Sequence, residues 1–385
     1  MSSTIKVLQV IPKLGFGGAE TGCYDLAHFL AEQECKSFLI TSGGELLKFI
    51  RRDKVKVIYL PVQSKNPLII FINSIIIFFI LLIYNIDIVH ARSRAPAWSC
   101  LWACLFSRKK FVTTFHGCYN FSGKLKYFYN SVMVRSKLII GGSNFIFSHI
   151  NEKYQKYLDL KKKKLMVIFR GINLEYFNEK NVSEKKTLSL ASSWNINKED
   201  FIVLFPGRLT KWKGQEIFIE SLNLLMEGSN NKNFHAIILG SNQGRQIYSK
   251  KLLLLVERYR LAKKITFIEN CKEMPLAYKL SNLVVSCSIE PEAFGRVAVE
   301  AQAMSKPIVA SNIGGSRETV LNGKSGLLYK YNDQRELAKA INKIMEMDKR
   351  SRSLMGESGR KNVEKKYNVD QMCQTTFTEY KKLLK

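Results

Sequence analysis

Short β-branched, apolar runs alternate with helix-length stretches along this chain, and the alternation restarts once. The first series of strand-like runs covers residues 5–10, 37–41, 56–60, 86–89, 111–115, 137–140 and 165–169, with helical patterns between them, as at 19–33 and 125–134. Residues from about 178 to 200 are polar, rich in Lys, Ser and Asn and weakly periodic, which marks a domain connection. Beyond it strand signals return at 201–205, 235–239, 265–268, 283–286, 307–310 and 326–328, and residues 332–385 read almost entirely helical. Strands joined through helices run parallel and are covered on both faces. No period of the kind that marks a solenoid or propeller is present. The expected fold class is therefore α/β, with two Rossmann-like domains facing each other across a cleft. The expected boundaries are 1–180 for the first domain, 181–365 for the second, and 366–385 for a C-terminal helix packing back toward the first. At 385 residues, each half has enough chain to bury its own core.

Charge narrows what such a fold handles. The chain carries 60 basic and 32 acidic residues, a net charge of +28. That points to an anionic partner: nucleic acid, an acidic membrane surface or a phosphorylated substrate. The lysines are dispersed, with only 161–164 forming a tight run, so a solvated Lys-rich surface is the plainer alternative. The eight cysteines form no CxxC pair and sit mostly in apolar elements. This argues against a disulfide framework or a zinc site and for a reduced cytosolic setting. Residues 1–11 have the character of a first strand and lack the long apolar core and cleavage site of a signal peptide. Residues 67–84 approach the length of a membrane span, broken only by Asn73 and Ser74. They fall between two strand-like runs where a crossover helix is required. A buried or membrane-facing crossover helix is expected there rather than a span.

The densest chemistry lies between Glu290 and Ser311. A buried strand at 283–286 leads into a loop holding Glu292, then a helix expected from about Phe294 to Met304 that carries Glu300. Carboxylates and a helix N-terminus thus stand beyond the carboxyl end of a strand, the edge where open α/β sheets bind ligands. The helix start offers N–H groups and a positive dipole end suited to a phosphate. Glycine-rich turns containing Gly17 and Gly18, and Gly314 and Gly315, stand at other strand exits, where backbone can approach a ligand. Steric turn chemistry alone also accounts for each. The first lacks the GxGxxG spacing and acidic partner of a dinucleotide site. His116 ends a strand and can hydrogen-bond a hydroxyl or phosphate, or titrate, although a lone histidine is more often structural. His90 ends another and is followed by Arg92 and Arg94, which either hold an anionic acceptor or are simply solvated. Arg208 and Lys213 flank a tight loop after a strand; a planar guanidinium and a mobile ammonium suit a diphosphate, the alternative being a surface charge cluster. The GxxxxGK[ST] pattern of a P-loop is missing.

Together, Gly17-Gly18-Ala19-Glu20, the His116-Gly117 turn, Gly207-Arg208-Leu209 with Lys213-Gly214, Glu292 with Glu300, and Gly314-Gly315 resemble glycosyltransferase family 4, of the group 1 type. The resemblance runs from about residue 5 to the C-terminal helices and is most specific over 291–320. It implies a GT-B fold and retaining transfer from a UDP- or GDP-sugar, with no cofactor and no metal. In agreement, no two aspartates are spaced Asp-x-Asp, the metal-binding signature of the other common glycosyltransferase fold. It implies that Arg208 and Lys213 bind the donor diphosphate, that Glu292 contacts the transferred sugar, and that Glu300 contacts the ribose. Backbone around Phe294 and Gly295 then approaches sugar and phosphate, His116 lies beside the donor sugar, and Gly17 and Gly18 lie near the phosphates. Glu292 and His116 become the catalytic candidates, with fixed cations and a helix dipole meeting the charge that grows on the leaving diphosphate. The paired-carboxylate geometry of retaining glycosidases is not evident, so Glu292 is not read as a nucleophile.

Two positions depart from the family pattern: Ser305 stands where glycine usually precedes Lys-Pro, and Asn173 replaces the more usual aspartate. The segment 90–98 resembles a subgroup linked to bacterial lipopolysaccharide or surface polysaccharide assembly. That implies a glycolipid or oligosaccharide acceptor, while the cationic surface and the 67–84 helix motivate an anionic membrane surface as partner, with no nucleic acid expected, and a cytoplasmic protein peripheral at the inner face of the cytoplasmic membrane. A sugar-nucleotide epimerase of GT-B architecture keeps the fold and changes the reaction; Arg92, Arg94 and the glutamate pair count against it. A nucleic-acid-binding reading rests on charge alone, without a recognition motif or basic–aromatic stripe.

Overall fold

Both halves of the chain solve the same burial problem with a parallel sheet. The computed structural model describes residues 4–33, 35–119, 121, 123–197, 199–228 and 233–385. The first sheet holds β1 (Lys6–Val10), β2 (Lys36–Thr41), β3 (Val55–Tyr59), β4 (Ile88–Ala91), β5 (Lys110–Phe115), β6 (Leu138–Gly141) and β7 (Lys164–Val167). Its strands pair in the order β3-β2-β1-β4-β5-β6-β7. The second holds β8 (Phe201–Pro206), β9 (Phe234–Leu239), β10 (Ile265–Ile268), β11 (Leu283–Ser286), β12 (Ile308–Ser311) and β13 (Gly326–Tyr329), in the order β10-β9-β8-β11-β12-β13. The neighbours pair in parallel throughout, for example Val7 with Ile88 and Leu283 with Val203. Every residue of β4, β6, β9, β11 and β12 is buried, as strands covered by helices on both faces must be. In each sheet the strand order reverses once, between β1 and β4 and between β8 and β11. The crossovers on either side of that point leave to opposite faces, so the loops there diverge and open a crevice at the carboxyl ends.

The chain divides into two units, one comprising residues up to Gly171 together with Val369–Lys385, the other Ile172–Asn368. The first junction therefore lies at 171/172 rather than 180/181. The polar stretch expected to be a connection contains a helix, Glu184–Ser193, that belongs to the second unit. Ser183 caps it, its hydroxyl accepting from the Lys186 N–H at 3.3 Å, and only Thr187 and Ala191 are buried. With so narrow an apolar stripe, its period is nearly invisible in the sequence.

The return junction lies at 368/369, and the helix Val369–Leu384 that follows completes the first unit's core. Cys373, Phe377 and Tyr380 pack with Val7, Leu26, Ile88 and Val112, and the Phe377 ring meets Phe29 edge-on at 6.4 Å. Tyr380 reaches β4: its hydroxyl hydrogen-bonds His90 Nδ1 at 2.5 Å, while His90 Nε2 pairs with Thr114 Oγ1 at 2.7 Å. His90 is thereby a core residue with both ring nitrogens occupied. The second unit's core is built from Val203, Phe218, Ile238, Val285, Leu337 and Ile341 among others.

The apolar segment after β3 forms the helix Pro67–Ile83, a crossover between β3 and β4. Pro67 opens it, and the Asn66 carbonyl oxygen of the side chain accepts from the Leu68 N–H at 2.9 Å. Among the described residues no helix is long and apolar enough to cross a membrane. All eight cysteines are free.

The buried Tyr380–His90 contact predicts a graded pair of losses. Tyr380→Phe strips a hydrogen bond from a buried imidazole and is expected to cost about 1–3 kcal/mol. Phe377→Ala removes a core ring and is expected to cost about 3–5 kcal/mol. Urea unfolding curves compare the two, and equal losses, or none, would contradict this packing.

Candidate active site

In the second unit β8 ends at Pro206 and passes through Gly207, Arg208 and Leu209 into one tight turn, Lys211–Lys213. Gly214 closes the turn at φ 80°, in the left-handed region, with the Cys287 carbonyl oxygen where a Cβ would stand. The Lys213 side chain folds back beside Gly207 and its Nζ meets Glu292 Oε1 at 2.7 Å. Ser288, just past β11, donates its hydroxyl to the same carboxylate oxygen. The pair is nearly dry, with the Lys213 and Glu292 side chains 12% and 11% exposed. Burial pushes the Glu292 carboxyl up, but the Lys213 ammonium, the Ser288 hydroxyl and the Arg208 guanidinium together outweigh it and hold the group below the ordinary carboxylate range. Glu292 is therefore ionised. Arg208 itself is exposed, with Nη1 3.5 Å from Gln243 Oε1, and buried Gln215 anchors its loop by donating to the Arg208 carbonyl at 2.8 Å.

Beyond Glu292 the chain turns at Gly295, again at φ 80°, and the helix runs from Arg296 to Ala303. The expected start at Phe294 is two residues early because a left-handed residue cannot continue a helix. Phe294 instead lies in the loop, its buried ring edge-on to Tyr367 at 5.5 Å. Glu300 is buried one turn into the helix: Arg296 Nε donates to Oε1 at 2.6 Å and the Tyr278 hydroxyl to Oε2 at 2.7 Å. Each carboxylate oxygen keeps a second lone pair for a ligand hydroxyl. The Gly314-Gly315 turn packs backbone to backbone on this loop, with the Gly315 N–H bonded to the Glu292 carbonyl at 2.8 Å. Cβ atoms at 314 and 315 would collide with the backbones of Glu292 and Phe294, so these glycines have a packing reason. A separate pocket of about 450 Å³, lined by Asn173, Tyr176, Lys186 and Glu273, holds none of the expected donor residues.

In the first unit His116 follows β5 and lines a pocket of about 390 Å³ with Lys13, Glu20, Gln63, Arg92 and Tyr119. Both of its ring nitrogens are buried without a hydrogen-bond partner. Burial first, then Arg170, Arg92 and His90, drive its pKa well below the ordinary histidine value. The imidazole is neutral, so of the two expected roles hydrogen bonding fits this site and titration near neutrality does not. Gly17 caps the helix Gly18–Glu32, and a Cβ on Gly18 would stand 3.2 Å from the Arg170 guanidinium. Arg92 is buried, with Nε donating to Gln9 Oε1 at 2.8 Å; Arg94 donates to Asn130 Oδ1 at 2.9 Å and lies over the Tyr119 ring. Neither arginine is simply solvated.

Several partners escape a reading of the sequence. Arg296 stands four residues before Glu300, a spacing that signals an ion pair on a helix. Ser288 and Tyr278 carry no such signal, because only the fold brings them to their carboxylates. Of the two departures from pattern, Ser305 adopts φ 53°, the conformation glycine prefers, and Asn173 caps a turn by accepting from the Glu175 and Tyr176 N–H groups.

A family model described as glycosyl transferases group 1 matches residues 188–362, and one described as Glycosyltransferase Family 4 matches residues 16–176. A solved glycosyltransferase from Rickettsia africae ESF-5 is 33% identical, with a TM-score of 0.90 over 100% of this chain and 99% of its own. HepE of Anabaena, solved in complex with UDP and glucose, is 22% identical, with a TM-score of 0.82 over 98% of this chain and 100% of its own, a likeness of fold. The capsular polysaccharide biosynthesis glycosyltransferase CapM of Staphylococcus aureus is 26% identical over 216 residues, 56% of this chain and 53% of CapM. Two parallel-sheet units with these neighbours define a GT-B architecture. By its match along the whole Rickettsia protein, the chain belongs to the group 1 glycosyltransferases of family 4. It spans about half the length of the curated relatives it matches.

The depressed histidines predict an acid-labile first unit. Once unfolded, His90 and His116 take up protons near pH 6.5, whereas in the fold both stay neutral. The unfolded chain then binds more protons, so this stability is fully present above about pH 6.5 and is lost as pH falls below it. Each residue adds up to about 1.4 kcal/mol per pH unit to that slope. Urea midpoints are expected to fall from about pH 7.5 to about pH 5.5, less steeply in His116→Gln; a pH-independent midpoint would contradict the neutral assignment.

Proposed function

We propose that the chain transfers a glycosyl group, with retention and without a metal, from a UDP- or GDP-sugar to a lipid-linked, lipopolysaccharide or polysaccharide acceptor at the inner face of the cytoplasmic membrane. The observation that carries the reading is the buried Lys213–Glu292 pair, with Arg208 acting on the same carboxylate, at the strand-order reversal of the second unit. Breaking a sugar–diphosphate bond builds negative charge on the leaving group. Cations already held in place stabilise that charge without reorganising. Arg208 and Lys213 take the diphosphate; an ionised Glu292, acceptor-only, orients hydroxyls of the transferred sugar and stabilises positive charge growing at its anomeric carbon. Glu300, fixed by Tyr278 and Arg296, offers its free lone pairs to the ribose hydroxyls. In the first unit neutral His116 has two unused ring nitrogens for a sugar hydroxyl, and Gly18 lets the backbone lie close to the Arg170 guanidinium, while Gly17 makes room for the Glu20 carboxylate. The UDP and glucose of HepE support a nucleotide-sugar donor, and the name of CapM supports an acceptor of the surface-polysaccharide kind.

Thermal melting with UDP-, GDP- and ADP-sugars tests the donor. One of these is expected to raise the midpoint of the wild type and to lose that effect in Glu300→Ala. Lys213→Ala is expected to lower kcat by about 100- to 1,000-fold, and EDTA to leave the wild-type rate unchanged. A wild type that no nucleotide sugar stabilises would sink the reading.

A further inference from the structure

The helix Pro67–Ile83 has its polarity reversed. Its only two polar side chains face inward: Asn73 donates to the Pro61 carbonyl at 3.2 Å, and Ser74 to the Phe71 carbonyl at 2.6 Å. Its outer stripe is entirely apolar. Leu68, Phe71, Ile75, Phe79 and Leu82, three or four residues apart, are each between 43% and 66% exposed. The inner stripe is satisfied by packing against the helix Arg94–Ser107, where Ser99 donates to the Ile70 carbonyl at 3.0 Å. That neighbour carries two exposed apolar side chains of its own, Leu105 and Phe106, near its end. A helix facing water shows the opposite arrangement, and a contiguous apolar face of this kind marks an interaction surface.

Its border says what covers it. Lys65 stands exposed just before the first helix, and Arg108 and Lys110 stand exposed just after the second. Lys109 spans from one helix end to the other, donating to Asn85 Oδ1 at 3.0 Å. The nearby acid, Asp87, is turned inward and accepts the Lys6 N–H at 2.8 Å. An apolar centre with a cationic margin is the pattern of an element lying in the interface of an anionic bilayer. Seventeen residues give a helix of about 25 Å, short of the roughly 30 Å hydrocarbon core, and its inner stripe is already packed on protein. It lies on a membrane and does not cross one.

Resting on the proposed reaction for its biological sense, we infer that the outer face of these two helices docks on an anionic lipid bilayer, burying Leu68, Phe71, Ile75, Phe79 and Leu82 at the headgroup boundary. The 390 Å³ pocket beside His116 lies close to that surface along the chain: Gln63, which lines it, precedes the docking helix by one short loop. An acceptor with a hydrocarbon tail then presents its head to the pocket while the tail stays among lipids.

Flotation of the full chain with vesicles tests this. Binding to phosphatidylcholine vesicles containing phosphatidylglycerol is expected, with weaker binding to phosphatidylcholine alone. The double variant Ile75→Glu/Phe79→Glu and the triple variant Lys65→Glu/Arg108→Glu/Lys110→Glu are each expected to lower binding by about tenfold or more. The triple variant touches no buried side chain and decides the matter if the double variant misfolds. Equal binding by wild type and variants, or no binding, overturns the docking face. So does a wild-type dimer, seen by sedimentation velocity, that the apolar variant dissociates, since a second copy would then be the occupant. Melting with nucleotide sugars on the same preparations separates the two ideas: failure there sinks the donor reading and leaves the vesicle result standing.

Discussion

Glu292 carries a full charge where water barely reaches, and Lys213 makes that tenable. Removing a carboxylate and an ammonium from water costs several kcal/mol per ion, recovered only through close contact and satisfied lone pairs. The 2.7 Å contact and the Ser288 hydroxyl supply both conditions. They in turn require the left-handed turn at Gly214 and the pairing of β8 with β11 that sets the two loops side by side. The Gly314-Gly315 turn braces the Glu292 loop from below. A charged pair held this tightly is preorganised: its fields are in place before any substrate charge develops.

The two units use one topology for opposite electrostatic ends. At the carboxyl edge of the second sheet a carboxylate and an ammonium neutralise each other. At the corresponding edge of the first sheet, Arg92 and Arg170 crowd an imidazole that burial and repulsion strip of its proton. His116 is neutral first because it is buried and then because its neighbours are cations, and the same cations make its surroundings receptive to an anion.

Much of this was legible in the sequence because buried parallel strands leave near-continuous apolar runs. All thirteen named strands among the described residues coincide with such a run, with ends shifted by at most two residues. The glycine turns and the charged residues at their exits were visible for the same reason. What stayed hidden depends on contacts between distant residues or on a single dihedral angle. Gly295 moved a helix start through its φ, Tyr278 reached Glu300 across 22 residues, and Arg92 was turned inward by Gln9, 83 residues away. The polar helix at Glu184–Ser193 reads as a connection in the sequence because only two of its residues are buried.

The return of Val369–Leu384 to the first unit sets an order of events during synthesis. That unit's core lacks Cys373, Phe377 and Tyr380 until the ribosome has made everything between, about 200 residues, or about 10–40 s at 5–20 residues per second. Throughout that interval His90 has no Tyr380 hydroxyl beside it, and the surface that the helix will cover, including Leu26 and Ile88, stands open. The first half of the chain to emerge is thus the last to be finished. That unit is closed only when the helix Val369–Leu384 arrives, and until then its open apolar surface is of the kind that chaperones shield.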